Sequence, residues 1–352
     1  MDRTEQFLKD LVEAHGVPGF EQEVAAIMDR HLRGIGTMSR DRLGSFICEK
    51  VGGPGPRVML AGHLDEIGLM VKSITKDGFV KFLQLGGWWG HVVLGQRFII
   101  KTRRGDVLAV AGSKPPHELR DEDRKKVLEL REMYLDVGAT SDFDVKKKLD
   151  IRPGDPIVPD SKYTRMANPN LLLAKAWDNR LGCALAAETA RLLKGVKHPN
   201  TLLAVATVQE EVGLRGAQTS AFKVKPDVAI ALDTGIAHDT PGTEGDEKLG
   251  GGPLVVIYDA TAIPNRRLLD LVIDTARRLR IPLQFESVER GGTDIGRIHL
   301  TGEGVPSLAM GCATRYIHSH VSIMDRRDFD QTVKLLVALV KRLDRKTVAG
   351  LT

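Results

Sequence analysis

Apolar residues recur along the chain with two different periods, and the change of period divides it. At the start, Phe7, Leu8, Leu11 and Val12 share one helical face of residues 4–14, and Val24, Ile27, Met28 and Leu32 share one face of 21–33. His15-Gly16-Val17-Pro18-Gly19 breaks the chain between them. Short strands are expected around 37–42 and 45–50, turned at Leu43-Gly44. After the loop Gly52-Gly53-Pro54-Gly55-Pro56, the run Arg57-Val58-Met59-Leu60-Ala61 reads as a buried strand that leads straight into Gly62-His63-Leu64-Asp65-Glu66. From about 67 to 162 the texture shifts to short alternating segments, at 68–74, 79–83, 97–102, 105–110 and 157–159, with Gly and Pro turns and one helical stretch near 121–131. That pattern predicts a small β-barrel-like module.

From about 168 strands alternate with helices. Strands are expected at 171–174, 201–206, 228–232, 254–258, 283–286 and 305–310. Helices are expected from Asp178-Asn179-Arg180, near 215–222, at 265–280 and at 326–345, the last with Phe329, Val333, Leu336 and Val340 inward. Such alternation predicts an α/β fold with a mainly parallel central sheet and helices on both faces. The expected organisation is a discontinuous domain, residues 1–66 and 163–352, interrupted by an inserted β-domain, residues 67–162.

Composition adds boundaries. A chain of 352 residues is long for one simple core, in keeping with two units. Hydrophobic residues make up 42% and charged residues 28%, ordinary for a soluble globular protein. The net charge of +5 is spread among charges of both signs, with only short clusters such as Lys146-Lys147-Lys148, and aromatic residues are 5%. This argues against a nucleic-acid partner. Cys48, Cys183 and Cys312 are far apart and form no Cys-x-x-Cys, so they read as reduced, buried thiols. Neither an apolar leader nor an apolar run of transmembrane length is present. The expectation is a cytoplasmic protein with no membrane contact.

The chemistry concentrates at predicted strand ends. Thr207-Val208-Gln209-Glu210-Glu211-Val212-Gly213 follows the apolar run Leu202-Leu203-Ala204-Val205-Ala206. Two adjacent carboxylates there are costly to desolvate without a cation. Their side chains diverge, so one can bind a metal while the other handles a proton. His63 and Asp233 also follow buried strands, and Asp178 sits at a helix start just after another. Singly, each has an ordinary explanation: His63 a satisfied core histidine, Asp178 an N-cap, Asp233 a turn former. Together, at the edge where open α/β sheets bind ligands, they read as a metal site. Asp65, two residues from His63, is placed to receive its second ring N–H. His318 and His320 offer a second histidine, of which one need be a ligand.

The chain resembles the glutamyl aminopeptidase family of dinuclear zinc peptidases, which includes the tetrahedral aminopeptidases. The motifs that carry the resemblance run in family order. They are Ala61-Gly62-His63-Leu64-Asp65-Glu66-Ile67-Gly68, Trp177-Asp178-Asn179-Arg180, Gln209-Glu210-Glu211-Val212-Gly213, Leu232-Asp233-Thr234-Gly235, Gly291-Gly292-Thr293-Asp294 and Arg315-Tyr316-Ile317-His318-Ser319. The resemblance implies that His63 and Asp233 hold one metal, Glu211 and His318 the other, and that Asp178 bridges them. It implies Glu210 as general base and Asp65 as the carboxylate behind the ligands. It further implies an inserted β-domain used for dimerisation, dodecamers built from dimers, and short peptides as substrates.

Charge counting agrees with that ligand set. Asp178, Glu211 and Asp233 bring three negative charges against four on two divalent ions, and one hydroxide completes neutrality. Histidine and carboxylate ligands suit zinc, with cobalt or manganese as substitutes. Three rivals are weighed against an aminopeptidase. A related dinuclear hydrolase, an acylamino-acid deacylase or carboxypeptidase, needs the same metals and base and differs only in substrate. A glycoside hydrolase needs two carboxylates facing each other across a sugar, about 5–9.5 Å apart, whereas Glu210 and Glu211 diverge. An inactive metal-bound interaction protein has no use for Glu210.

Overall fold

A computed structural model describes residues 1–352. Two helices open the chain. In α1 (Arg3–Glu13) the Asp2 side chain caps the first turn by accepting the Glu5 N–H, and Phe7, Leu8, Leu11 and Val12 are buried. The next helix, α2 (Gln22–Leu32), buries Val24, Ala25, Ile27, Met28 and Leu32. The strands that follow are β1 (Thr37–Arg40), β2 (Phe46–Val51) and β3 (Arg57–His63). After an excursion of six strands come β10 (Thr164–Arg165), β11 (Leu171–Ala174), β12 (Thr201–Thr207), β13 (Val228–Ile236), β14 (Leu254–Asp259), β15 (Gln284–Val288), β16 (Ser307–Arg315) and β17 (Ser322–Asp325).

They make one mixed sheet in the order β1-β2-β12-β3-β13-β16-β17-β11-β10, with β14 and β15 branching from β16. The middle four, β12-β3-β13-β16, are mutually parallel, and pairing turns antiparallel toward both ends of that order. The parallel strands are the most apolar, as strands covered on both faces must be; every residue of β12 is buried. Alternation then sorts their side chains. Val58 and Leu60 enter a core of 52 residues shared with α1, α2, α4 (Trp177–Leu192), α6 (Arg266–Leu279) and α8 (Arg326–Arg342). Met59 and Ala61 enter a smaller core of 11 on the opposite face, under α5 (Arg215–Val224) and α7 (Ile295–Ile298). The long α4 lies directly on β3: a Cβ at Gly62 would stand 2.4 Å from the Gly182 carbonyl carbon. Only glycine permits that approach.

The excursion consists of β4 (Gly68–Ile74), β5 (Val80–Leu85), β6 (Arg97–Thr102), β7 (Gly105–Gly112), β8 (Tyr134–Asp136) and β9 (Pro156–Pro159). They close as a barrel in the order β4-β5-β8-β7-β6-β9 around a core of 14 buried residues of its own. The helix expected over 121–131 is only α3 (Asp121–Arg124), followed later by one 3-10 turn at Leu130–Glu132. None of those residues is buried, and an isolated helical segment without an apolar face to pack is marginal.

The three-way join of α1, β3 and α4 rests on buried charge. Arg180, fully buried, donates to the carbonyls of Leu11, Ala14 and Gly16 and to Glu66 Oε1 at 3.2 Å. Lys175, also buried, donates to the Ala14 carbonyl and to the same Glu66 oxygen. Glu66→Ala is expected to leave two buried cations without a counter-charge and to cost about 3–5 kcal/mol, the usual penalty of breaking a buried pair. Lys9→Ala, which removes a part-exposed pair with Glu13 on α1, is expected to cost about 0.5 kcal/mol or less. Denaturant midpoints of the two variants check the contrast.

Candidate metal centre

Parallel pairing brings the acidic and histidine residues level. Thr207 pairs with His63, and Ala231 with Ala61, so Glu210, Asp233 and His63 emerge from neighbouring strands at one edge. Asp178 arrives from the start of α4. There Asn179, not Asp178, does the capping: its Oδ1 accepts the Gly182 N–H at 2.8 Å. Asp178 is left free to face the centre. Its Oδ1 lies 3.2 Å from His63 Nε2 and its Oδ2 3.3 Å from His318 Nε2. One carboxylate thus stands between two imidazoles.

The two ends of the centre are completed by the glutamates. Glu210 Oε2 lies 3.6 Å from His63 Nε2, and Glu211 Oε1 lies 3.6 Å from His318 Nε2. Two groups have ligand atoms close enough to share an ion, His63 with Asp178 and Glu211, and His63 with Glu210 and Asp233. All six residues face one pocket, whose further walls include Ile236, Thr261, Glu286, Arg290 and Arg297.

Both imidazoles present Nε2 to the centre because backbone carbonyls hold their other nitrogens. His63 Nδ1 lies 2.9 Å from the Asp65 carbonyl, and His318 Nδ1 2.8 Å from the Gly87 carbonyl. The Asp65 carboxylate, expected to take the His63 N–H, is 3.6 Å away and serves elsewhere. Its two oxygens accept the N–H groups of Glu210 and Glu211 at 3.0 and 3.1 Å. His320 turns away: its Nε2 meets the Arg97 carbonyl at 2.9 Å, and its ring packs against Trp88 and Phe98.

Two further acids belong to the setting. Asp294 is buried, and its Oδ2 accepts the Thr207 hydroxyl at 2.6 Å while Oδ1 has no partner. Glu21 accepts the N–H groups of Gly19 and Gln209 at 2.7 and 3.1 Å, tying the start of α2 to the residue before the glutamates. The sequence hint for Asp294 was its Gly-Gly-Thr-Asp motif; nothing local to Glu21 signals its distant contact. Of the eight non-glycine residues with positive φ, five bracket the centre: Ala176, Gln209, Leu214, Tyr316 and His318. Such backbone costs about 1–3 kcal/mol per residue and persists where surroundings over-determine it.

The electrostatics ask for cations. Burial first, and then neighbouring acids, push Glu211 up to about 8 and raise Glu210 and Asp233 well above the carboxylate range. Burial acts the same way on Asp178, but the hydrogen bonds from His318 and His63 outweigh it and lower that group. Four acids, Asp178, Glu210, Glu211 and Asp233, surround two imidazoles here, and the buried Glu211 Oε1 has no protein partner. Nitrogen and oxygen donors in that ratio fit divalent cations of the zinc type.

A family model described as M42 glutamyl aminopeptidase matches residues 44–335. The glutamyl aminopeptidase of Lactococcus lactis is 36% identical over 347 residues, covering 97% of each chain. The TET aminopeptidase of the marine sediment archaeon Thaumarchaeota archaeon SCGC AB-539-E09 superposes with a TM-score of 0.97 at 44% identity, covering 100% of both chains. The TET1 peptidase of Pyrococcus horikoshii, described as assembling into a tetrahedron or a large octahedral shell, gives a TM-score of 0.87 at 29% identity, covering 97% of this chain and 100% of its own.

Asp65→Asn keeps the shape of the clamp but replaces one acceptor by an amide donor facing a backbone N–H. Second-layer changes of this kind typically cost 10–100-fold in metal affinity or activity. A loss of about that size is expected in ion retention on dialysis or in turnover.

Proposed function

The chain belongs to the M42 glutamyl aminopeptidase family and is an aminopeptidase; we propose that it releases the N-terminal residue of short peptides at a pair of divalent ions, with Glu210 as general base. In this reading His63 and Asp233 would hold one ion and Glu211 and His318 the other, with Asp178 shared between the two. The observation that carries it is Asp178, whose two oxygens approach two different histidines at 3.2 and 3.3 Å. Zinc suits these donors best, and cobalt or manganese can replace it.

Bound there, two such ions would supply polarisation of a peptide carbonyl and a lowered pKa of water. The protein does the rest. The Glu210 carboxylate accepts no hydrogen bond from the protein and faces the pocket, so it is free to take a proton from the attacking water. It then delivers that proton to the leaving amine nitrogen. The Asp65 clamp holds the Glu210 and Glu211 backbone so that one carboxylate serves each task. The acidic cluster receives the free α-amino group of the substrate, which makes the reaction exopeptidic.

We also propose that subunits pair through the barrel and build a closed particle, a dodecamer. On β7, Leu108 and Val110 lie exposed on one face, and Trp89, in the segment between β5 and β6, is 61% exposed. Exposed apolar side chains on the barrel support this reading. No helix is long and apolar enough to cross a membrane. The three cysteines are free and buried, which suits the reducing cytoplasm.

The glutamates separate the roles. Purified protein is expected to hold two divalent ions per chain, to lose activity with a chelator and to regain it when metal is restored. Glu210→Gln should retain both ions while kcat falls by about two to four orders of magnitude. Glu211→Gln should lose metal, because an amide oxygen is a poorer ligand. The reverse pattern in elemental analysis would exchange the two assignments. Sedimentation at micromolar concentration should show a particle several times larger than a dimer; a monomer there would refute the assembly but leave the chemistry standing.

A further inference from the structure

A second concavity of about 820 Å³ opens next to the metal centre. The β1–β2 turn, α5 and the segment after α7 form its walls, and Arg297 is shared, lining both this groove and the pocket of the centre. Four cations line it: Arg40, Arg42, Lys223 and Arg297. All four are exposed, and none is paired with a carboxylate, unlike surface cations such as Arg57 with Glu49 or Arg315 with Asp239.

The one acid of the groove is already used. Asp41 Oδ1 accepts the N–H groups of Leu43, Gly44 and Ser45, and its Oδ2 accepts the Thr219 hydroxyl. It builds the turn that presents Arg40 and Arg42 and leaves the groove with net positive charge. Phe222 and Leu300, 74% and 66% exposed, supply apolar contact on its walls.

Centre and groove therefore have opposite polarity. Asp178, Glu210, Glu211 and Asp233 meet at the centre, and four cations without a carboxylate partner, Arg297 among them, line the groove. A peptide lying across both would put its N-terminal ammonium at the negative end and its downstream residues at the positive end. We propose that the groove binds the uncleaved, downstream part of the substrate and selects peptides that carry carboxylates there, from Asp, Glu or the C-terminus. This rests on the aminopeptidase reading above and adds a preference on the far side of the scissile bond. The contribution is electrostatic, between exposed groups, so it is screened by salt.

The test uses the assembled enzyme and two pentapeptides that share their first three residues and end in Glu-Glu or Lys-Lys. At low ionic strength kcat/KM is expected to favour the acidic peptide by about tenfold, as steering by complementary charge does, and the ratio should shrink as salt is added. In the double variant Arg42→Glu with Lys223→Glu the ratio should fall to parity or invert. The milder Arg42→Gln with Lys223→Gln should reduce it partway, which covers the case of a poorly folding charge reversal. Equal values for the two peptides in the wild type would overturn the proposal, as would an undiminished ratio in both variants. A change of particle size in the variants would also overturn it, because the groove would then be a contact between copies of the chain. Failure of the wild type to cleave any amino-acid amide would instead strike the aminopeptidase reading itself.

Discussion

The centre depends on one constraint: carboxylates crowded at a buried sheet edge cannot stay ionised without cations. Glu210, Glu211, Asp233 and Asp294 are each raised by burial first, and Asp178 escapes only because two imidazoles hydrogen-bond it. Hydrophobic burial alone would never select this arrangement. A fold that keeps it must hold each acid in place against mutual repulsion. Several otherwise odd features follow from that need. Asp65 spends both oxygens on the backbone of the two glutamates. Asn179 takes over the capping of α4 so that Asp178 need not. Gln209 is held at φ 55° while Glu21 receives its N–H.

Those holding contacts come from all over the chain, which explains the weight carried by the central parallel strands. Register among β3, β12 and β13 sets the heights of His63, the glutamates and Asp233 together. Behind them, the Gly62–Gly182 approach fixes α4 against β3, and the Arg180–Glu66–Lys175 network ties that helix to the turn after α1. Stability and site geometry thus share residues: Glu66 belongs to the same segment as His63 and Asp65. A change that loosens the join also loosens the loop that carries the first histidine.

The parts of this design that were legible in the sequence are those with a local signature. Apolar runs ending in His63, Glu210 or Asp233 announce strands and place chemistry at their carboxyl ends, and the switch of period at about 67 marks the barrel. What could not be read is decided between distant residues. Asp65 looked like the partner of His63 by spacing, but its own carbonyl takes that nitrogen and frees the carboxylate. Glu21 meets Gln209 across 188 positions, and Gly87 meets His318 across 231. The stretch 121–131 has helix-forming residues, but its apolar ones are confined to the end, where Leu128 and Leu130 pack on the barrel core beyond α3, so propensity alone overstates the helix. Short strands such as β8 and β17 gain their definition from neighbours on both sides rather than from their own pattern.

The Gly87 contact changes the standing of the barrel. His318 is oriented by a carbonyl that lies beyond β5, in the barrel segment, while His320 two residues later meets the carbonyl of Arg97 on β6 and packs on Trp88. The turn that makes the first contact must be glycine. A Cβ at Gly86 would stand 2.6 Å from Ile67 Cγ2 and 2.9 Å from Glu211 Oε2, at a φ of 83° that favours glycine anyway, and one at Gly87 would stand 3.1 Å from His318 Nδ1. The Gly86-Gly87-Trp88-Trp89 stretch therefore divides its labour. The glycines reach the centre, Trp88 anchors the turn by donating to the Gly68 carbonyl, and Trp89 stays exposed. The barrel segment thus reaches the candidate centre through the Gly87 carbonyl. A barrel displaced relative to the sheet would carry the Gly87 carbonyl with it and release the His318 ring, so the geometry of the centre depends on how firmly the barrel is held.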